Sequence, residues 1–425
     1  MSFADQLPPM SDRKREVLVR THDLLMPNRI ETWARLGVPL VMGRREGYRF
    51  WDLDGHELLD LHINGGTFNL GHRNPELIEV LQQALTEVDI GNHHFASEAR
   101  VELAERLKQL TPGELSLSVF APSGSEANDL AVRVARHATG RRKVVALDAG
   151  YHGATALSSA AGRNSNAQFF LSDYPNEFVR VPFDDLEAMD TALRGNDVAC
   201  VLMETIPATY GFPIPGDDYL PEVKRLCERY GTLYVADEVQ TGLGRTGQLW
   251  GVDIWGVEPD LLVTGKGLSG GLYPIAALVM TKQVGRFLSE SGWAYSSTFG
   301  GAELGCRVAC RVLDICSRPE SLANARRISD YLGAGLAKIR SRHPWLKAVR
   351  RKGLVMGLEL DDPMGALTLS PILYRHGVWA MFSGFEFSVL QFKPGLLVDE
   401  AYCDLLLQRL EAALAEASRA DGPRL

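Results

Sequence analysis

Hydrophobic and polar positions alternate in two ways along the middle of this chain. Short apolar runs predict strands at residues 117–120, 143–147, 198–203, 233–236, 261–264 and 275–280. Between several of them, apolar residues recur every three to four positions and predict helices at 98–110, 126–138 and 220–230. Strands separated by helix-length segments are typical of an α/β fold with a mainly parallel central sheet and helices on both faces.

The two ends of the chain have a different pattern. Residues 12–60 begin as a helix and continue into a predicted hairpin at 48–60, whose turn is Leu53-Asp54-Gly55. A helix through Ile339, antiparallel strands at 352–361 and 387–393, and a terminal helix at 400–417 are predicted near the other end. We therefore expect both ends to form one small α+β domain, from 1–65 and 326–425, beside a large domain at 66–325.

Composition narrows the class of protein. The 425 residues are 45% hydrophobic and 23% charged, which is ordinary for a globular enzyme. A net charge of −8 without a basic block argues against nucleic acid as a partner. No apolar stretch approaches the roughly 18 residues that cross a bilayer, and the first residues do not resemble a secretory signal. We expect a cytoplasmic protein that does not bind membranes.

Six cysteines in so long a chain do not indicate a disulfide framework. Cys306, Cys310 and Cys316 share a predicted helix without nearby histidines. We predict that they are buried thiols and that the protein has no metal site.

Lys266 follows the apolar run 261–264 and precedes a glycine-rich loop. A lysine at the end of a buried strand loses water around its ammonium, which favours the neutral amine that a Schiff base with an aldehyde requires. Asp237 closes the strand predicted at 233–236 and can keep a pyridine nitrogen protonated. Ligands bind beyond the carboxyl ends of parallel strands, where both residues lie. Lysine and acid together are what pyridoxal phosphate requires of a protein.

Other strand ends carry polar groups as well. Residues 121–128 join a strand to a helix and include Ser123, Gly124 and Ser125, whose backbone N–H groups suit a phosphate; the alternative is a simple helix cap at Ser125. Tyr151 and His152 follow another strand, where an aromatic ring can lie flat on a cofactor or simply pack.

Glu204 ends a strand at a depth where a carboxylate needs a partner. Val239 and Gln240 follow Asp237 and suit contact with a ring and one of its oxygens. The hydroxyls of 296–298 are candidates for the phosphate.

These motifs together resemble the class III aminotransferases, the ornithine or ω-aminotransferase group of fold type I pyridoxal phosphate enzymes. The resemblance covers about residues 30–415 and rests on 123–128, 237–242, 244–247, Lys266 and 297–301. It implies a homodimer with shared sites, in which Thr298 reaches the phosphate bound by the neighbouring subunit. It also implies that Lys266 forms the Schiff base and Asp237 pairs with the pyridine nitrogen. We predict these cofactor-binding residues: Ser123, Gly124, Ser125, Tyr151, His152, Glu204, Asp237, Val239, Gln240, Lys266 and Thr298.

The chain departs from the family at positions that bind substrate. Many members have an arginine that binds the substrate α-carboxylate where this chain has Gln391, and several have a gating glutamate where it has Thr209. Acetylornithine-type enzymes have a further arginine at the position of Ala154. Since a neutral amide cannot make the bidentate contact of arginine, we hypothesise a substrate without a conventionally bound α-carboxylate.

The expected reaction moves an amino group from a small amine or amino acid to a 2-oxo acid or aldehyde. The alternatives are an aminomutase or racemase on the same scaffold, and a silent cofactor-binding regulator. Lys393, Arg29 or Arg35 could bind a distant carboxylate, but each is interpreted as a solvated surface charge. Candidate pocket-wall residues are Trp51, Phe68, His93, His94, Phe95, Trp379 and Phe382.

Overall fold

The computed structural model describes residues 2–163 and 177–419. The helices in these ranges are α1 (Asp12–Leu24), α2 (Pro27–Arg35), α3 (Ile63–Gly66), α4 (Pro75–Glu87), α5 (Glu98–Leu110), α6 (Gly124–Thr139), α7 (Leu157–Ala161), α8 (Leu186–Leu193), α9 (Tyr219–Tyr230), α10 (Arg286–Glu290), α11 (Glu303–Cys316), α12 (Pro319–Arg342), α13 (Gly365–Arg375) and α14 (Glu400–Arg419). Short 3₁₀ turns occur at Ala4–Gln6, Gly251–Trp255 and Lys266–Ser269. None of the described helices is long and apolar enough to span a membrane.

The strands are β1 (Met42–Glu46), β2 (Arg49–Asp52), β3 (Glu57–Asp60), β4 (Leu117–Ala121), β5 (Lys143–Leu147), β6 (Phe178–Val181), β7 (Val198–Glu204), β8 (Leu233–Asp237), β9 (Leu261–Thr264), β10 (Ala276–Met280), β11 (Leu346–Lys352), β12 (Val355–Leu360), β13 (Val378–Trp379), β14 (Met381–Ser383) and β15 (Glu386–Phe392). They form a 7-stranded sheet and two 4-stranded sheets.

The central sheet has the order β4-β10-β9-β8-β7-β5-β6. Adjacent strands in the series β9-β8-β7-β5-β6 pair in parallel. Strand β10 is antiparallel to both of its neighbours, β9 and β4. The connection from β9 to β10 contains only a 3₁₀ turn, which is too short for the crossover that a parallel pair requires. The mainly parallel sheet predicted from the sequence is confirmed.

Both faces of this sheet are covered, as expected for parallel strands. Successive side chains of a strand point to opposite faces, so Val145 of β5 packs in one core and Val144 in the other. Helix α6 supplies Leu130 to the second core, and α9 supplies Val223 to the first. The sheet is therefore fixed between helical layers, and the ends of its strands are held in place.

The two ends of the chain meet in the 4-stranded sheet β1-β2-β3-β13, whereas the other 4-stranded sheet, β11-β12-β15-β14, comes from the C-terminal part alone. The predicted hairpin is present, with Arg49 of β2 opposite Leu59 of β3 and Gly55 in the turn at a φ of 86°. Strand β13 pairs in parallel with β3, Val378 opposite Leu59, and so joins distant parts of the sequence. Strands β12 and β15 are antiparallel, as predicted. The domain boundaries at 65 and 325 stay a prediction.

The sequence pattern missed strand β6. It has only 4 residues, of which Arg180 is charged, and it lies at the edge of the sheet, where three of its residues are only partly buried. Such a run lacks a clear apolar period. The predicted burial of Cys306, Cys310 and Cys316 is confirmed, and all three lie on α11 as free thiols.

Candidate active site

A cavity of about 270 Å³ lies at the carboxyl ends of the central strands. Most of the predicted site residues meet there, although they come from five separate stretches of the chain. Its lining consists of Gly124, Ser125, Asn128, Tyr151, His152, Gly153, Glu204, Asp237, Val239, Gln240 and Lys266.

Lys266 begins the 3₁₀ turn after β9 with a φ of 42°. A residue other than glycine with a φ in this left-handed region costs roughly 1–3 kcal/mol in backbone strain. Such residues are found preferentially at functional sites. Burial lowers the pKa of Lys266, while Asp237 and Glu204 nearby act in the opposite direction. The position therefore favours a neutral, nucleophilic amine.

Gly65 leaves room for this lysine. A Cβ at Gly65 would lie 3.0 Å from Cε of Lys266, and the backbone there has a φ of 70°. At Gly65, the loop that contains α3 thus approaches Lys266 with backbone alone.

Asp237 is buried at the end of β8 and accepts three hydrogen bonds. Nδ2 of Asn128 donates to its Oδ2 at 2.9 Å, and Nδ1 of His152 lies 2.8 Å from the same oxygen. The backbone N–H of Val239 donates to Oδ1 at 3.2 Å. The carboxylate is held in one orientation at the cavity.

Glu204 is buried at the end of β7, next to Asp237 in the sheet. Its two oxygens accept from the backbone N–H groups of Tyr151 at 2.9 Å and Ala208 at 3.1 Å. Burial raises its pKa to about 7. The partner expected from the sequence is therefore backbone rather than a cation.

The start of α6 provides the anion cradle. Ser123 is the N-cap, and its Oγ accepts from the backbone N–H of Glu126 at 3.3 Å. The alternative in which Ser125 is the cap is wrong, because Ser125 lies inside the first turn and its Oγ accepts from the N–H of Ala154 at 3.4 Å. Ser125 packs on Gly153, where a Cβ would come within 2.4 Å of its Oγ. The free N–H groups of this first turn suit a phosphate.

The rest of the cavity suits a flat heterocycle. Val239 packs on Gly124, where a Cβ would lie 3.2 Å from Cγ2 of the valine. Oε1 of Gln240 is buried without a hydrogen-bond partner, and such a group needs a donor. An anion cradle, an acid, an amine and an unpaired oxygen around one cavity fit pyridoxal phosphate.

Thr298 lies outside this cavity and is exposed, on a segment after α10. Among the candidate wall residues, Phe95 is 71% exposed, Trp379 packs on Trp33 with ring centroids 5.2 Å apart, and Phe68 packs on His72. None of these side chains lines the cavity, so the apolar wall is not found where it was expected.

Lys393 is not a solvated charge, contrary to the sequence interpretation. It is 3% exposed, and its Nζ donates to Oε1 of Gln391 at 2.5 Å. Lys393 lies directly after the end of β15, so the alternating pattern of the strand does not extend to it and did not indicate its burial. Arg29 and Arg35 are exposed as expected, and Arg35 pairs with Glu31.

Two residues were underestimated. Asn128 was treated only as part of a motif, yet it joins Asp237 to the backbone O of His152. Glu238 is fully buried and accepts from Thr205, Thr241 and two backbone N–H groups. A buried acid directly after a functional acid was a usable indication of such a network.

Comparisons with known proteins agree with this geometry. The profile of the family described as Aminotransferase class-III matches residues 33–414. An uncharacterized aminotransferase of Archaeoglobus fulgidus is 43% identical over 406 residues, covering 96% of this chain and 95% of the relative.

Two solved structures are similar in fold. Taurine:2-oxoglutarate aminotransferase from Bifidobacterium kashiwanohense, in complex with PLP and glutamate, has a TM-score of 0.88 at 22% identity, covering 97% of this chain and 100% of that one. Ornithine aminotransferase from Toxoplasma gondii has a TM-score of 0.87 at 23% identity, covering 98% of both chains. The predicted fold type I architecture is confirmed.

Proposed function

Since the chain belongs to the class-III aminotransferase family, and is therefore an aminotransferase, we propose that its cavity binds pyridoxal phosphate through Lys266 and transfers amino groups from a donor whose carboxylate, if present, is not held by an arginine. The observation that carries the proposal is the convergence of Lys266, Asp237 and the start of α6 on one cavity. Nothing in the comparisons favours the isomerase alternative.

Different residues of the cavity bind different parts of the cofactor. The first turn of α6, with Gly124 and Ser125, binds the phosphate. Tyr151 and Val239 contact the ring, Gln240 reaches its oxygen, and Asp237 keeps a proton on its nitrogen. When bound, pyridoxal phosphate supplies an aldehyde that condenses with amines and a cationic ring that draws electrons from the reacting carbon.

Lys266 then acts twice. Its amine, whose pKa is lowered by burial, is a nucleophile toward the aldehyde. With the donor amine in its place on the aldehyde, the free Nζ would take the proton from the substrate carbon and deliver it to the aldehyde-derived carbon of the cofactor. A positioned general base of this kind contributes roughly 10²- to 10⁴-fold to the rate.

The carboxylate of Asp237 would pair with the ring nitrogen of the cofactor. Asn128 and His152 hold its Oδ2, so the carboxylate does not have to reorganise during the reaction. We assign these two residues a positioning role.

The substrate proposal rests on neutral side chains at the family's charged positions. Gln391 and Thr209 carry no charge, and Ala154 contributes only its backbone N–H to Ser125. Simple amines, aldehydes and β- or ω-amino acids are favoured over α-amino acids bound by a guanidinium.

We also propose a homodimer with shared sites, in which Thr298 approaches the neighbouring cofactor. Exposed apolar side chains support an interface near this segment, since Trp293 is 79% exposed and Phe299 57%. A cytoplasmic location stays a prediction from composition.

Borohydride reduction tests the proposal. Purified protein supplied with pyridoxal phosphate is reduced, digested and analysed by mass spectrometry. We expect the adduct on Lys266, bleaching of the cofactor absorbance by an amino donor, and release of the donor's carbonyl product. Lys266→Ala abolishes the adduct, whereas Lys282→Ala, which removes an exposed lysine, leaves it unchanged. An adduct elsewhere, or none, refutes the assignment.

A further inference from the structure

Lys393 is a buried lysine that has no carboxylate partner among the described residues. Its side chain is 3% exposed, and no carboxylate of the described residues forms an ion pair with it. Its Nζ donates only to Gln391 and lies 5.8 Å from the ring centroid of Phe212. Burial, with Arg245 and Lys266 nearby, lowers the pKa of Lys393 well below its usual value. A buried charge in this condition is costly, and an anion beside it would offset the cost.

The hydrogen bond between Lys393 and Gln391 also fixes the amide. An ammonium can only donate, so the amide oxygen of Gln391 faces Lys393 and the amide N–H₂ group turns away from it. No described residue accepts from this N–H₂ group or from the two remaining N–H bonds of Lys393. The pair therefore offers several donors and no free acceptor.

These donors lie beside Lys266. The backbone N–H of Lys393 donates to the O of Leu61 at 2.9 Å, at the start of the loop whose Gly65 borders Lys266. His62 lies in the same loop, and burial together with Lys393 and Lys266 lowers its pKa well below the usual value. The basic side chains of Lys393 and His62 thus lie in the neighbourhood of the reacting amine of Lys266.

The acid in this neighbourhood is already bound. Asp60 is 3% exposed, lies 2.8 Å from Nε2 of His72, and accepts from the backbone N–H groups of His62 and Ile63. It raises the pKa of Lys393 only from a distance. Asp60 is therefore already engaged by His72 and by backbone N–H groups, and none of its hydrogen bonds within the described part of the chain is made with Lys393.

We propose that Lys393 and Gln391 form the anion subsite for the amino donor, where Nζ and the amide N–H₂ bind a carboxylate of the substrate. The proposal rests on the proposed function of Lys266 and specifies its substrate class as amino acids, rather than simple amines. The carboxylate is held by an ammonium and a primary amide in place of a guanidinium.

Binding of pentanoate to the borohydride-reduced protein tests the subsite without turnover. Pentanoate carries a carboxylate and no amine, and pentanol is the neutral comparison. We expect calorimetry to detect pentanoate and not pentanol, and Lys393→Met to weaken pentanoate binding by about 10- to 100-fold, as for loss of one charge-assisted hydrogen bond. Lys393→Arg keeps the charge and is expected to retain part of the affinity.

The half-reaction provides the second measurement. Lys393→Met should raise the half-saturating concentration of 3-aminopropanoate or 5-aminopentanoate by about 10- to 100-fold and leave that of pentylamine unchanged. Lys352→Met is the matched control, because the Nζ of Lys352 lies 5.2 Å from the centroid of the Trp255 ring, whereas Lys266 influences Lys393. If Lys393→Met fails to fold, Gln391→Leu is expected to weaken the acids selectively while keeping the cation.

Equal effects on acid and amine donors, or no effect on either, would overturn the subsite. If the proposed function itself is wrong, the result is different: the unaltered protein forms no adduct at Lys266, and no donor bleaches the cofactor absorbance. The two failures are therefore distinguishable.

Discussion

Asn128 holds Asp237 in place through a 2.9 Å hydrogen bond from Nδ2 to Oδ2, although the two residues are 109 positions apart in the chain. The same Nδ2 donates to the backbone O of His152 at 2.8 Å, and the His152 ring contacts the same oxygen of Asp237. One side chain on α6 therefore aligns the ends of β5 and β8 beneath the cavity.

Asn128→Ala should weaken cofactor binding. The variant removes a hydrogen bond to a buried carboxylate, which is worth about 1.5–3 kcal/mol, or roughly 10- to 100-fold in affinity. Fluorescence titration with pyridoxal phosphate measures the change. Asn74→Ala is the control, because Asn74 caps α4 away from the cavity and its loss should cost about 1 kcal/mol of stability without affecting affinity. Equal affinities of Asn128→Ala and the unaltered protein would contradict the positioning role.

Glu204 should make stability fall as pH rises. Its pKa is about 7 in the folded protein against 4.5 for an ordinary glutamate, so between these values the folded state binds more protons than the unfolded state. The stability that this group contributes is present below pH 4.5 and is lost as the pH rises through 7, by up to roughly 3 kcal/mol. Urea unfolding of the unaltered protein and Glu204→Gln at pH 5.5 and 8 measures it. The variant should gain relative stability at the higher pH; a constant difference would argue against the shift.

Lys266→Met should stabilise the cofactor-free protein while removing its activity. The lowered pKa means that folding disfavours the ammonium, so removing it raises the free energy of unfolding near pH 7. The gain should shrink as the pH rises through 10.5, above which the amine is neutral in both states. Thermal unfolding at several pH values measures this, and the half-reaction should slow by at least roughly 10²- to 10⁴-fold. A variant that is less stable at neutral pH would contradict the prediction.

Gly395 cannot accept a side chain, because Tyr48 occupies the space. A Cβ at this position would lie 1.7 Å from Cε1 of Tyr48, whose hydroxyl donates to the O of Asn69 and accepts from the N–H of Leu397. Gly395→Ala should therefore destabilise the protein by about 1–3 kcal/mol through overpacking.

Denaturant unfolding measures this loss, and Gly292→Ala is the matched control, since a Cβ there meets nothing within 4 Å. The double variant Tyr48→Ala/Gly395→Ala should lose less free energy of unfolding than the two single variants lose together, because removal of the ring makes room for the new methyl group. Full additivity would show that the ring does not limit the glycine.

Local residue patterns were sufficient to predict the central sheet and the chemistry at its edge. The apolar runs predicted β7, β8 and β9 closely, because buried parallel strands are apolar on both faces. Asp237 and Lys266 follow two of these runs, so their common location required no distant contact to be known. The motif at 123–128 likewise predicted a helix start.

The contacts around those residues, in contrast, could be seen only in the folded structure. The bond from Asn128 to Asp237, the pairing of β13 with β3, and the burial of Lys393 against Gln391 all depend on how distant segments pack. The local sequence pattern predicts which face of a helix or strand is apolar. The partner of a polar side chain depends instead on which distant segment packs against it in the fold. The cofactor chemistry is therefore local in the sequence, whereas the proposed substrate subsite is a product of packing.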